Sequence, residues 1–167
     1  HMFFIDAIQK VLKKSEFPIR AFIVGDGEEK QNIINYIKSK NLDFSLDYTP
    51  ATFNLTSWVK EIDRVNSGMD IICLTSLNEG TPVSLIEAQA SGKPIVSTKT
   101  GGIKNIVLEN KTALLSEKND LHNFSKNLLS LVNDSEKRIL FSKYGLEKSK
   151  DFQYDKLIDS MKKLYKI

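Results

Sequence analysis

The chain has 167 residues, 41% hydrophobic and 27% charged, which is enough apolar material for one core and too little length for two full domains. Disordered, collagenous and coiled-coil classes are excluded on composition, and no run of about eighteen apolar residues offers a membrane span. The 24 Lys and Arg against 21 Asp and Glu give a formal charge of +3, too mild to argue for a nucleic-acid partner.

His1 and Met2 resemble the remnant of an expression tag, so the domain is taken as residues 3–167. Residues 3–14 read as a helix, with Phe4, Ile5, Ile8, Val11 and Leu12 on one face. Pro18 breaks the chain, and residues 19–24 (IRAFIV) form a buried strand ended by Gly25, Asp26 and Gly27. A helix follows over 28–40. The stretch 42–57 holds two short candidate strands, 44–48 and 52–55, on either side of Pro50. Residues 58–67 read as a helix closed by Gly68. Residues 69–75 (MDIICLT) form a central strand, and a helix runs from Pro82 to Ser91, ended by Gly92. Residues 94–98 are the next strand, Gly101 and Gly102 open a helix reaching Leu108, and 113–115 is a short strand. The rest is helical over 119–133, 135–149 and 153–166.

Strands alternating with helices predict an α/β fold with one parallel, doubly wound sheet. Ligands bind such sheets beyond the carboxyl ends of the strands. The loops of interest are therefore 25–27, 76–82 and 98–102.

The most informative segment is 75–87, TSLNEGTPVSLIE. Gly80 permits a sharp turn and close approach of a ligand. Thr81 reads as the helix N-cap and Pro82 as the first helical residue. Free amides near Gly80, Thr81, Val83 and Ser84 then face outward at the positive end of a helix, which suits a phosphate. Glu79 precedes the helix, and Glu87 lies about 7.5 Å along its axis from Pro82. Carboxylates repel phosphate but accept hydrogen bonds from sugar hydroxyls. Two Glu eight positions apart are common by chance; a strand before, Gly-Thr-Pro between and a helix after make this pair informative.

With IVGDGE at 23–28, DIICLTSLNEGTPVSLIEAQASGKPIVSTKTGG at 70–102 and ALL at 113–115, the chain resembles the C-terminal, donor-binding domain of retaining glycosyltransferases of the GT-B fold, family 4 type. Glu79 and Glu87 supply that family's E-x7-E pattern. The resemblance implies a Rossmann-like parallel sheet flanked by helices, one half of a GT-B fold. Glu79 would act in catalysis by holding the donor sugar through its hydroxyls. The backbone at Gly80, Thr81, Pro82 and Val83 would lie against the diphosphate, and Glu87 would bind the ribose. Gly25 and the segment around Trp58 would lie near the base. The implied co-substrate is a UDP-, GDP- or ADP-sugar, with no metal and no other cofactor. The resemblance also implies an N-terminal acceptor domain and one earlier strand, whose loop carries an Arg and a Lys that grip the diphosphate. Neither cation has a match here, so a fragment that does not turn over is expected. Still open at this point are a non-catalytic nucleotide-binding or scaffold module, and an epimerase or phosphorylase on the same scaffold.

Other features read more plainly. Gly25-Asp26-Gly27 is half of a dinucleotide fingerprint, but Lys30 stands where its third glycine belongs. Ser91-Gly92-Lys93 lacks the rest of a phosphate loop. Cys73, the only cysteine, excludes an intrachain disulfide and fits a buried small hydrophobe in a cytoplasmic protein. His122 reads as a surface or capping residue. Residues 121–167 hold 10 basic and 6 acidic side chains, an excess that fits a solvated helical face or, second, contact with an anionic membrane surface. Phe152, Tyr154, Leu157, Ile158, Met161, Leu164 and Tyr165 form a helical stripe expected to pack. Under the resemblance, that last helix reaches back to the other domain.

Overall fold

A computed structural model of the protein describes residues 1–47 and 49–166, with the side chain of Leu157 outside the description. The alternating patterns become α1 (Met2–Leu12), β1 (Ala21–Ile23), α2 (Lys30–Ser39), β2 (Phe44–Ser45), β3 (Phe53–Leu55), α3 (Ile62–Gly68), β4 (Ile72–Leu74), α4 (Val83–Ala90), β5 (Ile95–Thr98), α5 (Ile103–Ile106) and β6 (Ala113–Ser116). Helices α6 (Leu121–Asn133) and α7 (Ser135–Ser149), a 3-10 turn (Lys150–Phe152) and α8 (Tyr154–Tyr165) complete the chain. Tyr48, the expected end of the 44–48 strand, lies outside the described residues.

All strand pairs are parallel. The order is β2-β3-β1 in one sheet and β4-β5-β6 in the other. Ala21 stands beside Phe53, Ile72 beside Ile95, and Ile95 beside Ala113. The single continuous sheet expected from the sequence is thus found as two three-stranded halves. Among the described residues no backbone hydrogen bond joins β1 to β4, and a cleft lined by both strands separates them.

Period-two alternation sends successive strand residues to opposite faces. Val96, Leu114 and Cys73 join a core built with Ile5, Ile8 and Val11 of α1, Ile33 and Ile37 of α2, and Phe124, Leu128 and Leu131 of α6. The rings of Phe3 and Phe124 meet edge to face with centroids 5.2 Å apart, fastening α1 to α6. On the opposite face Ile95, Ala113 and Leu115 pack with Leu85 and Ala88 of α4 and Ile103 and Ile106 of α5.

Three local expectations change. Helix α3 begins at Ile62 rather than residue 58 and includes Gly68. Ile62, Val65 and Asn66 find partly or fully buried places, whereas Trp58 is 75% exposed and has no apolar surface to hold it in a helical turn. Of the two readings of His122 the surface one holds and the capping one does not: His122 is exposed, and Asp120 caps α6 by accepting from the Asn123 amide at 3.0 Å. The C-terminal stripe does not pack as expected. Tyr154, Met161, Leu164 and Tyr165 are exposed, and among the stripe's described side chains, which leave out Leu157, only Phe152 and Ile158 are half-buried.

Candidate functional site at the carboxyl edge of the sheets

The loop between β4 and α4 is held in place by the loop that leaves β5. The hydroxyls of Thr98 and Thr100 both donate to the Ser76 carbonyl, at 3.1 and 3.2 Å. The Gly102 amide donates to the Gly80 carbonyl at 3.0 Å and approaches that of Glu79 at 3.4 Å. This contact leaves no room for a side chain. A Cβ on Gly101 would fall 1.6 Å from the Glu79 carbonyl oxygen, and one on Gly102 would fall 2.3 Å from that of Gly80. Gly101 also has φ +51°, a left-handed backbone suited to glycine. The sequence marks 98–102 as a ligand-facing loop and Gly101 and Gly102 as a helix opening. Their role as a clamp on Glu79 and Gly80, and that of the two threonines, follows from contacts between loops more than twenty residues apart.

Helix α4 starts one residue later than expected. Pro82, with ψ 105°, is the N-cap and Val83 the first helical residue; Thr81 is therefore not the N-cap, and no side chain caps the end. The proline ring holds φ at −71°, but the extended ψ keeps Pro82 itself out of the helix. The first intrahelical closure is Leu85 to the Pro82 carbonyl at 3.1 Å. Among the described residues the amides of Gly80, Thr81, Val83 and Ser84 have no partner. They gather where the partial positive charge of α4 emerges.

Glu87 and Ser84 line the mouth of the cleft between β1 and β4, together with Ser76, Leu77 and Asn78. Glu79, next in the chain after Asn78, is half-buried and is not part of that lining. Among the described residues neither Glu79 nor Glu87 has a hydrogen-bond or ion-pair partner for its carboxylate. By contrast Lys99, which leads into the Gly101 turn, is engaged by Glu109 at 3.0 Å and Glu117 at 3.7 Å. The Glu109 bond holds its ammonium above the usual lysine range.

The turn after β1 borders the same edge. Gly25 has φ +126°, and its amide donates to the Thr56 hydroxyl at 3.2 Å. Lys30 Nζ reaches Asp26 and Ser57, each at 3.2 Å, and ties this turn to the segment that carries Trp58. The Gly27 amide, then Lys30, holds the Asp26 carboxyl below its ordinary range. A small cavity of about 90 Å³ opens beside Gly25 and is also lined by His1, Thr56 and Lys30. Trp58, two residues beyond Thr56, projects into solvent. Cys73 stands on the cleft wall; burial pushes its thiol up to about 12, although the cleft leaves the residue part of its surface. Among the described residues no three His, Cys, Asp or Glu side chains gather as a metal site. No helix among them is long and apolar enough to cross a membrane.

Parallel strands wrapped by helices, with loops converging on a helix start at the carboxyl edge, define a Rossmann-like domain. The sequence profile of the glycosyl transferases group 1 matches residues 1–148, and the chain belongs to that family. It is 28% identical over 164 residues to an uncharacterized glycosyltransferase of Methanocaldococcus jannaschii, covering 96% of this chain and 44% of that protein. It is 28% identical over 166 residues to the UDP-Gal:alpha-D-GlcNAc-diphosphoundecaprenol alpha-1,3-galactosyltransferase of Escherichia coli, covering 98% and 41%. The chain thus spans less than half the length of these relatives. Its fold is similar to that of a S. aureus TarM mutant solved with Fondaparinux, alpha-GlcNAc-glycerol and UDP. The TM-score is 0.82 at 23% identity, over 98% of this chain and 32% of that one. The Rossmann-like half of a GT-B fold expected from the sequence is the fold found.

Proposed function

We propose that this chain is the donor-binding half of a retaining glycosyltransferase, which moves a hexose from a UDP-, GDP- or ADP-sugar to an acceptor held by an N-terminal domain of the same protein. The observation that carries this reading is the start of α4. There a clamped loop presents four unpaired amides between Glu79 and Glu87. The naming of UDP-Gal for the Escherichia coli relative and the UDP complex of the TarM mutant support a nucleoside-diphosphate donor.

In this reading the diphosphate rests on the Gly80, Thr81, Val83 and Ser84 amides. As the bond from the anomeric carbon to the β-phosphate breaks, its electron pair collects on the diphosphate, where fixed donors stabilise it most. Each amide-rich helix-end contact contributes about 0.3–1 kcal/mol when exposed and up to about 2 when partly buried. Glu79 accepts hydroxyls of the donor sugar during transfer, and Glu87 accepts those of the ribose. Gly25 and Trp58 border the base. No metal takes part. The chain alone does not turn over, because the acceptor site lies on the other domain. The enzyme works in the cytoplasm, and at the inner membrane face if its acceptor is a lipid, as the name of the Escherichia coli relative suggests.

The test is a panel of UDP-, GDP- and ADP-sugars offered to the two-domain protein, with the product's anomeric configuration read by NMR. Transfer with retention is expected, and Glu79→Ala and Glu87→Ala should each lower it at least tenfold. Undiminished transfer in both variants would refute the assignment. Release of a sugar 1-phosphate on adding inorganic phosphate, or epimerised donor, would identify the other enzyme classes.

A further inference from the structure

We infer that Gln89 is a positioning residue of the donor site: it fixes the rotation of α4 about its axis, and so the direction in which Glu87 presents its carboxylate. The inference rests on the sugar-transfer reading, in which Glu87 accepts the ribose hydroxyls.

Helix α4 has eight residues, too few to hold its shape or its setting without neighbours. Its fully buried side chains are Leu85, Ala88 and Gln89. Leu85 and Ala88 rest against Ile95 and Ile103 through apolar contact, which has no direction of its own. Gln89 differs. Its Nε2 donates to the Ile106 carbonyl at 3.0 Å in a buried bond. Its backbone lies against α7, where a Cβ built on Gly145 would stand 3.6 Å from both the Gln89 Cα and its carbonyl oxygen. The Gln89 Oε1 has no partner among the described residues. An apolar side chain of this length would fill the space without leaving a buried acceptor unpaired, so what the amide adds is direction rather than packing.

The bond closes a ring. Helix α5 has four residues, and no backbone amide among the described residues reaches the Ile106 carbonyl at its end. From Gly80 the chain runs through α4 to Gln89 and crosses to Ile106. It returns along α5 to Gly102, whose amide meets the Gly80 carbonyl at 3.0 Å. The two glycines hold the first end of α4. Gln89 holds its last turn, the one that carries Glu87. Two positions apart is about 200° around a helix, so Gln89 and Glu87 leave the axis on opposite sides. Accordingly Gln89 is fully buried while Glu87 is exposed at the cleft mouth. With Ile106 released, the turn is free to swing. A carboxylate about 6 Å from the axis moves about 1 Å for a swing of about 10°. That is enough to take a hydrogen bond of about 2.8 Å out of range.

The test is titration calorimetry on the two-domain protein with UDP, GDP and ADP and with the 2′,3′-dideoxy form of each. Gln89→Met keeps the side-chain length and removes the donor. Ile37→Val, in the other core cluster, is the control for general loosening. The parent and Ile37→Val should bind at least one ribonucleotide about tenfold more tightly than its dideoxy form, and in Gln89→Met that ratio should fall to about threefold or less. In transfer assays Gln89→Met should raise KM for the nucleotide sugar about tenfold and leave kcat within about twofold, because Glu79 and the amides at the start of α4 keep their places. A ratio in Gln89→Met equal to the parent's would overturn the inference and leave the reading of Glu87 standing. Equal loss in Gln89→Met and Ile37→Val would overturn it as well, by reducing Gln89 to stability alone. A parent that does not distinguish the ribose from the dideoxy forms would remove the role of Glu87 itself, and the inference with it.

Discussion

Replacing Gly101 by Ala isolates the contact that sets the α4 crevice. The new Cβ would stand 1.6 Å from the Glu79 carbonyl oxygen and 2.8 Å from its carbon. An ordinary C···O approach is about 3.3 Å, so the two loops must part by about 1.7 Å. The left-handed backbone at φ +51° adds about 1–2 kcal/mol for a residue with a side chain, and forced overpacking adds about 1–3. A loss of about 3 kcal/mol in urea unfolding is expected, with backbone shifts at Glu79, Gly80 and the start of α4. Because a displacement of about 1 Å can cost about 100-fold in rate at a positioned site, transfer by the two-domain protein should fall by about that much. Gly27→Ala is the control, since nothing lies within 4 Å of its Cβ position; it should change stability by less than about 0.5 kcal/mol. A Gly101→Ala protein as stable as the parent, with unchanged signals from Glu79 to Ser84, would refute the clamp.

Removing both hydroxyls in a Thr98→Val, Thr100→Val protein leaves the Ser76 carbonyl without its two donors and should cost about 2 kcal/mol in chemical denaturation. Cys73 predicts an alkaline effect. Its folded thiol keeps its proton to about 12, whereas the unfolded thiol ionises near 8.5, so stability should fall with pH above about 9, by at most about 1.4 kcal/mol per unit. Cys73→Ala should remove that slope, as read by unfolding midpoints between about pH 8 and 11. Asp120 predicts the opposite sign. The Asn123 amide lowers its folded pKa, so its capping contribution is fully present above the unfolded value near 3.9 and lost as pH falls through the folded one. The stability gap between the parent and Asp120→Ala should be constant at neutral pH and close in acid; a constant gap at all pH values would contradict it.

Much of the architecture is written locally in the chain. Beta-branched runs such as residues 94–98, and stripes such as Ile5, Ile8 and Val11, report period and burial directly, and these elements fall where the pattern puts them. Of the loop residues singled out, the amides around Gly80 and Ser84 have no partner among the described residues, and Glu87 reaches the cleft mouth while Glu79 does not line it. What local pattern could not supply were the long-range facts. The Gly101 and Gly102 clamp depends on where β5 ends relative to β4. The break between β1 and β4 depends on strand order rather than strand identity. Trp58 looked helical because its spacing to Ile62 and Val65 is helical, but no surface lies opposite it to bury. The C-terminal stripe of Tyr154, Met161 and Leu164 has helical period and forms a helix, yet it stays exposed because period fixes the helix and not its partner.

The most direct measurement is hydrogen exchange of the two-domain protein with and without saturating UDP, GDP or ADP. At least one of these nucleotides should slow exchange across residues 76–90 and 98–106, with α7 unchanged. Unaltered exchange in both segments with all three, or protection confined to another surface, would contradict a diphosphate seat at the start of α4.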